Sequence, residues 1–107
     1  EMLVNIIKKS ETGPNMNSPE ILVIIPPPLL IPKEARKSDH LIPEFVKAAE
    51  KSKHFSKDFT EVLSRQCHLI DSSKLIKTSE IDGMHLDSES HAILGKEVAK
   101  YITLNIL

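Results

Sequence analysis

Residues 20–30 read EILVIIPPPLL. The five residues 21–25 are all aliphatic, with no polar alternation, the pattern of a strand buried on both faces of a parallel sheet. Pro26, Pro27 and Pro28 end that strand abruptly, because proline supplies no ladder donor. Downstream, Phe45, Ala48, Ala49, Ser52, Phe55, Phe59, Val62 and Leu63 recur at three and four residues. This spacing predicts one helix over 44–66 with Pro43 in its first turn. CHLI at 67–70 predicts a second, shorter strand. A last helix is predicted from about 88 to 106, capped by Asp87 or Ser88. Its inner stripe is Leu94, Val98 and Ile102, with Gly95 beside it, where a missing side chain allows close packing on a sheet. Upstream, Met2, Leu3, Ile6 and Ile7 have helical spacing within 1–10, and Gly13-Pro14 stops that helix. Residues 29–42 form a long irregular connection with a charged centre at 33–40.

Helices alternating with strands indicate an α/β domain with a parallel sheet. Two parallel strands do not make an independently stable sheet; three or more are needed. A strand like 21–25 also calls for neighbours on both edges. The pattern therefore accounts for about half of a doubly wound domain. The first residue is Glu1 rather than Met, and helical spacing begins at once, so the chain is expected to start inside something longer. No secretory leader is expected.

Composition narrows the function. The 107 residues carry 14 Lys and Arg against 15 Asp and Glu, a net charge of -1. No basic excess exists to neutralise a phosphate backbone, so a nucleic-acid partner is not expected. With 13 Ile and 12 Leu but three Phe, one Tyr and no Trp, the apolar content offers little for base stacking. One cysteine, Cys67, excludes an internal disulfide framework. The longest apolar run, 21–31, is too short and too broken by proline to span a bilayer. A soluble, cytoplasmic protein is the slightly favoured expectation, with the compartment itself left open.

In an open parallel sheet, functional residues gather at the C-terminal ends of the strands. Three segments qualify here: 26–30, 71–73 and 82–85. Asp82 and His85 are three residues apart, so both side chains can project from one turn. A carboxylate beside an imidazole fixes the ring tautomer, which leaves the other nitrogen to take a proton from a hydroxyl nucleophile. The plainer reading of the same residues is a polar loop with a carboxylate bonding locally. Other candidates carry less. His91, Asp87 and His85 match no tight zinc spacing, so no metal is expected. His91 is expected to pack or cap in the first turn of the last helix. Cys67 is expected as a small buried strand residue, His68 on the alternate strand face, and His40 and His54 on the surface. The cluster KEARK at 33–37 reads as a solvated loop.

More of the chain bears on the pair. The stretch IDGMHLDSESHAILG at 81–95 resembles the last motif block of the SGNH (GDSL) serine hydrolases, in which the Asp and His of a Ser-His-Asp triad precede the final helix. ILVIIPPPL at 21–29, AAEKSKHF at 48–55 and CHLIDSSKLIKTSEIDGMHLD at 67–87 resemble the arylesterase and acyltransferase branch, in register over nearly the whole chain. Ser90 is a small departure, standing where relatives often carry Gly. The resemblance implies a three-layer α/β/α fold of flavodoxin-like type, incomplete at its N-terminal side. Residues 1–107 would be the C-terminal portion of a single SGNH domain.

The resemblance also implies chemistry. Asp82 and His85 would be the acid and base of the triad. Pro26, Pro27, Pro28 and Leu29 are candidates for the wall of a pocket taking a small ester, and no cofactor is implied. The family's nucleophile lies in a Gly-Asp-Ser motif, and its oxyanion donors in two further motifs; none occurs here. None of the eleven serines follows Gly-Asp. The expected function is a carboxylic-ester hydrolase or acyltransferase whose nucleophile is not on this chain. The alternative is an inactive interaction module that folds by association. Either way the expected partner is the missing N-terminal half or a second copy, and a homo-oligomer is expected, because exposed strand edges demand cover. A small flavodoxin-like regulatory module fits less well, since no glycine-rich phosphate loop is present.

Overall fold

The computed structural model describes residues 1–35 and 42–107. The order is α1 (Met2–Lys8), β1 (Leu22–Ile25), α2 (Pro43–Ser52), α3 (Phe55–Leu63), β2 (His68–Asp71) and α4 (Ser88–Asn105), with short 3-10 turns at Pro14–Met16 and Ser72–Lys74. β1 and β2 pair in parallel, Leu22 opposite His68 through Ile25 opposite Asp71. The fold class is α/β, as the alternation of patterns requires. His40, and Arg36 and Lys37 of KEARK, lie outside the described residues.

The core is small. Val4, Ile25, Ala49, Leu63, Ile70 and Ile76 are its buried apolar side chains among the described residues. The radius of gyration is 16.7 Å, against about 13 Å for a compact domain of this length. The shape is thus extended, and apolar side chains remain uncovered. Met2, Leu3 and Ile6 are 78%, 68% and 58% exposed. α1 therefore buries Val4 on one side and shows apolar side chains on the other.

The single helix predicted over 44–66 is two helices, broken at Lys53 and His54. The first of them ends at Ser52, which is fully buried. Its hydroxyl donates to the Ala49 carbonyl at 2.7 Å. A continuing helix would give that carbonyl to the Lys53 N–H. The Lys53 N–H instead reaches Glu50 and that of His54 reaches Lys51, each one residue tighter, and the helix ends. His54 is exposed at the break.

α4 departs from expectation in packing. Leu94, Val98 and Ile102 are only half-buried, and no residue of the helix is fully buried. A Cβ built on Gly95 would meet nothing within 4 Å, so this glycine serves no close packing on the two-stranded sheet. Cys67 is half-buried rather than buried and precedes β2. His91 is exposed; it neither packs nor caps, and Asp87 is the cap, accepting from the Ser90 N–H at 2.7 Å. No described helix is long and apolar enough to cross a membrane.

Candidate active site

The strand ends are joined first. The buried Ser72 hydroxyl, just after β2, donates to the Ile25 carbonyl at the end of β1 at 2.6 Å. Beyond β1, the three prolines carry the chain out with no N–H donors of their own. The Leu29 N–H donates to Ser52 Oγ at 2.8 Å, and the buried Thr78 hydroxyl donates to the Pro28 carbonyl at 3.4 Å. Ser52 thus closes its helix and receives the chain leaving the proline run.

Asp71 closes β2. Burial pushes its carboxyl pKa up, but hydrogen bonds from the Ser56 hydroxyl, the Ser73 hydroxyl and the Ser73 N–H, with Lys74 nearby, bring it below the ordinary value. It is a support for the strand end rather than a reactive group, since both its oxygens are engaged.

The loop at 79–85 folds on itself. The Ser79 N–H donates to the His85 carbonyl and the Gly83 N–H to the Ser79 carbonyl, both at 2.7 Å. Gly83 has φ +70, a region that costs residues with a Cβ. A Cβ there would lie 1.6 Å from the Leu30 carbonyl oxygen. The absent side chain lets the two backbones meet, and the Leu30 N–H donates to the Gly83 carbonyl at 2.9 Å. The glycine in the loop therefore clamps it to the segment that leaves the proline run.

Asp82 organises what remains. Its Oδ1 accepts from the N–H groups of Met84 at 2.8 Å and His85 at 2.9 Å, a turn of the kind aspartate makes with its own following backbone. Its Oδ2 lies 2.6 Å from His85 Nδ1. The Met84 N–H, then the His85 ring, then the His85 N–H hold the carboxyl at a pKa of about 2. It is ionised at neutral pH and can only accept, so the Nδ1 facing it carries a proton; in the neutral ring Nε2 then presents a lone pair. The His85 side chain is 78% exposed, and Nε2 has no protein partner among the described residues. The arrangement is an oriented base facing open space, able to take a proton from a group brought to it.

The two sequence-predicted sets are adjacent rather than merged. Pro26 is exposed and Pro27, Pro28 and Leu29 are half-buried; they reach the Asp82–His85 loop through Leu30. A cleft of about 480 Å³ runs between Leu30, Thr78 and the first turns of α4 at Asp87 and Ile93, and its lining includes neither the prolines nor His85. Among the described residues, no three His, Cys, Asp or Glu side chains gather as a metal site. Ser52, Ser72 and Thr78 were the polar residues that sequence reasoning missed as supports. Ser52 sits in the apolar stripe of its helix, and a hydroxyl at a core position is itself the signal for a buried hydrogen bond.

No family model and no curated protein matches the chain. Solved structures do. The chain superposes on the native aryl esterase of M. smegmatis with a TM-score of 0.77 at 22% identity, over 94% of its own length. The chain has the SGNH hydrolase fold. It also superposes on a carbohydrate acetylesterase from Sinorhizobium meliloti with a TM-score of 0.71 at 25% identity, and on a carbohydrate acetylesterase family member from the same organism with a TM-score of 0.65 at 25% identity. It covers 46%, 47% and 49% of those three chains. The SGNH fold is therefore present here over about half the length of the solved structures it matches, which accounts for a two-stranded sheet with apolar faces left open.

Proposed function

We propose that this chain is the C-terminal, acid–base half of an SGNH-type ester hydrolase acting on small esters. Asp82 orients His85 and stabilises the imidazolium; His85 Nε2 takes the proton of a serine hydroxyl supplied by a segment outside these 107 residues. That serine attacks the ester carbonyl, with oxyanion donors from the same outside segment. His85 then returns the proton to the leaving alcohol and activates water, or another acceptor, to release the acyl group. Pro26, Pro27, Pro28 and Leu29 stiffen one wall of the acyl pocket, and their fixed backbone favours a preorganised site. The observation that carries this reading is the Asp82–His85 pair, with one ring nitrogen bound and the other open. Esterase neighbours over nearly the whole chain support it.

The test is a chimera in which this chain replaces the matching part of the M. smegmatis aryl esterase. A folded chimera should hydrolyse p-nitrophenyl acetate. His85→Ala should lower its kcat by about a thousandfold or more, and Asp82→Asn by a comparable factor, because the triad acts as a unit. A folded chimera with no activity, or one indifferent to His85→Ala, would overturn the reading. The 107-residue chain alone should show no turnover.

A further inference from the structure

Pro28, Leu29 and Leu30 are each held by a different part of the chain. The Thr78 hydroxyl donates to the Pro28 carbonyl at 3.4 Å, the Leu29 N–H to Ser52 Oγ at 2.8 Å, and the Leu30 N–H to the Gly83 carbonyl at 2.9 Å. Ser52 fixes this segment to α2. The other two fix it to the loop that carries the base, Gly83 near the loop's middle and Thr78 at its start. One residue on from Thr78, the Ser79 N–H donates to the His85 carbonyl at 2.7 Å. The path from the proline wall to the backbone of His85 is therefore one hydroxyl, one residue and one amide. Thr78 is 4% exposed, so water is a poor substitute for this bond. The cleft that Thr78 lines includes neither the prolines nor His85, so Thr78 acts on the site through its neighbours.

We infer that Thr78 is a positioning residue that sets the gap between the proline wall and His85, and with it the size of acyl group the site accepts; this rests on the hydrolase reading above. In acyl transfer the base must reach the nucleophile while the acyl group lies against its wall. An error in the gap is an error in both, and a displacement of about 1 Å can cost about a hundredfold in rate. Both ends of the connection are stiff: proline fixes its own φ, and a β-branched threonine has a restricted χ1. A loop joined to the wall only at Gly83 could swing about that point; a second join at Pro28 prevents it. Without the hydroxyl, the Pro28 carbonyl loses its donor and the wall can part from the loop. The wider gap then fits a short acyl group worse than a longer one. The aim of the ring is untouched, because the bonds of Asp82 run within the turn itself.

The test uses the folded chimera with the M. smegmatis aryl esterase, assayed on p-nitrophenyl acetate and p-nitrophenyl butyrate. Thr78→Val keeps the shape and removes the hydroxyl. It should lower kcat/KM for the acetate about tenfold or more and for the butyrate by less, raising the butyrate-to-acetate ratio about threefold or more. A mere loss of folded enzyme would scale both esters alike and leave the ratio unmoved. Thr78→Ser keeps the hydroxyl and should restore the parent ratio. The low-pH limb of kcat/KM, which reports the base, should keep its midpoint throughout. Thr78→Ala leaves room for a water at the Pro28 carbonyl; it should shift the ratio the same way, less strongly, and decides the matter if Thr78→Val does not fold. An active chimera whose ratio is unchanged, a Thr78→Ser variant as altered as Thr78→Val, or a moved pH midpoint would overturn the inference and leave the hydrolase reading standing. A folded parent chimera without turnover would overturn the hydrolase reading and this inference with it.

Discussion

Gly83→Ala probes the joint between the proline exit and the Asp82–His85 loop. The new Cβ would stand 1.6 Å from the Leu30 carbonyl oxygen and 2.7 Å from its carbon. Backbone must move by about 2 Å to restore an ordinary contact. Leu30 has little room to retreat, since the Leu29 N–H beside it is held by buried Ser52 and Pro32 Cδ is 3.3 Å from the same Cβ. Left-handed strain on a residue with a Cβ costs about 1–3 kcal/mol, and loss of the Leu30–Gly83 hydrogen bond about 1 kcal/mol more. The sum is about 2–4 kcal/mol. If the loop unfolds with the rest, Tm falls by roughly 10–20 °C. If the loop detaches alone, Tm holds and the loss appears only locally. Thermal unfolding by circular dichroism, with ring-nitrogen NMR of His85, separates the two. The native loop should show the proton on Nδ1, and the variant should lose that preference. A variant that keeps both the parent Tm and the Nδ1–H tautomer would refute the clamp.

Acid should release the same loop within a defined window. The Asp82 pKa is depressed from 3.8 to about 2, so its contribution is fully present above about pH 4 and is lost as pH falls through about 2. Amide protection at Met84 and His85, followed by hydrogen exchange, should therefore survive at pH 4 and vanish below pH 2. Asp71 and Asp87 are shifted the same way, so acid unfolding should steepen over that range. Ser52→Ala leaves the Leu29 N–H without its acceptor in a largely closed site; a loss of about 1–3 kcal/mol is expected, measurable by urea denaturation, and an unchanged midpoint would contradict the assignment. Gly95→Ala should stabilise the chain by about 0.5–1 kcal/mol, because nothing lies within 4 Å of the new methyl. A lowered Tm would show that this helix face is packed in solution.

The parallel pairing was legible because 21–25 has no polar alternation and 67–70 follows a helical stretch. The Asp82–His85 contact was legible because three residues of spacing fit one turn, a purely local matter. Three features were not. Ser52, beside the break at Lys53, receives the N–H of Leu29, 23 residues earlier, and no helical periodicity records a distant hydrogen bond. The role of Gly83 depends on Leu30, 53 residues away in sequence, so the glycine alone reads as a turn. Gly95 misled in the opposite sense. Its place beside the apolar stripe suggests a close neighbour, yet with only two strands present no backbone reaches it.

The Asp82 turn has a consequence for assembly. Its bonds run to Met84 and His85, two and three residues on, and the nearest outside tether is Leu30 of the same chain. The base is thus aimed without any help from the polypeptide that would carry the serine. In the proposed hydrolase the serine hydroxyl would meet an imidazole already oriented, so the rest of the fold would have only to bring that hydroxyl within reach.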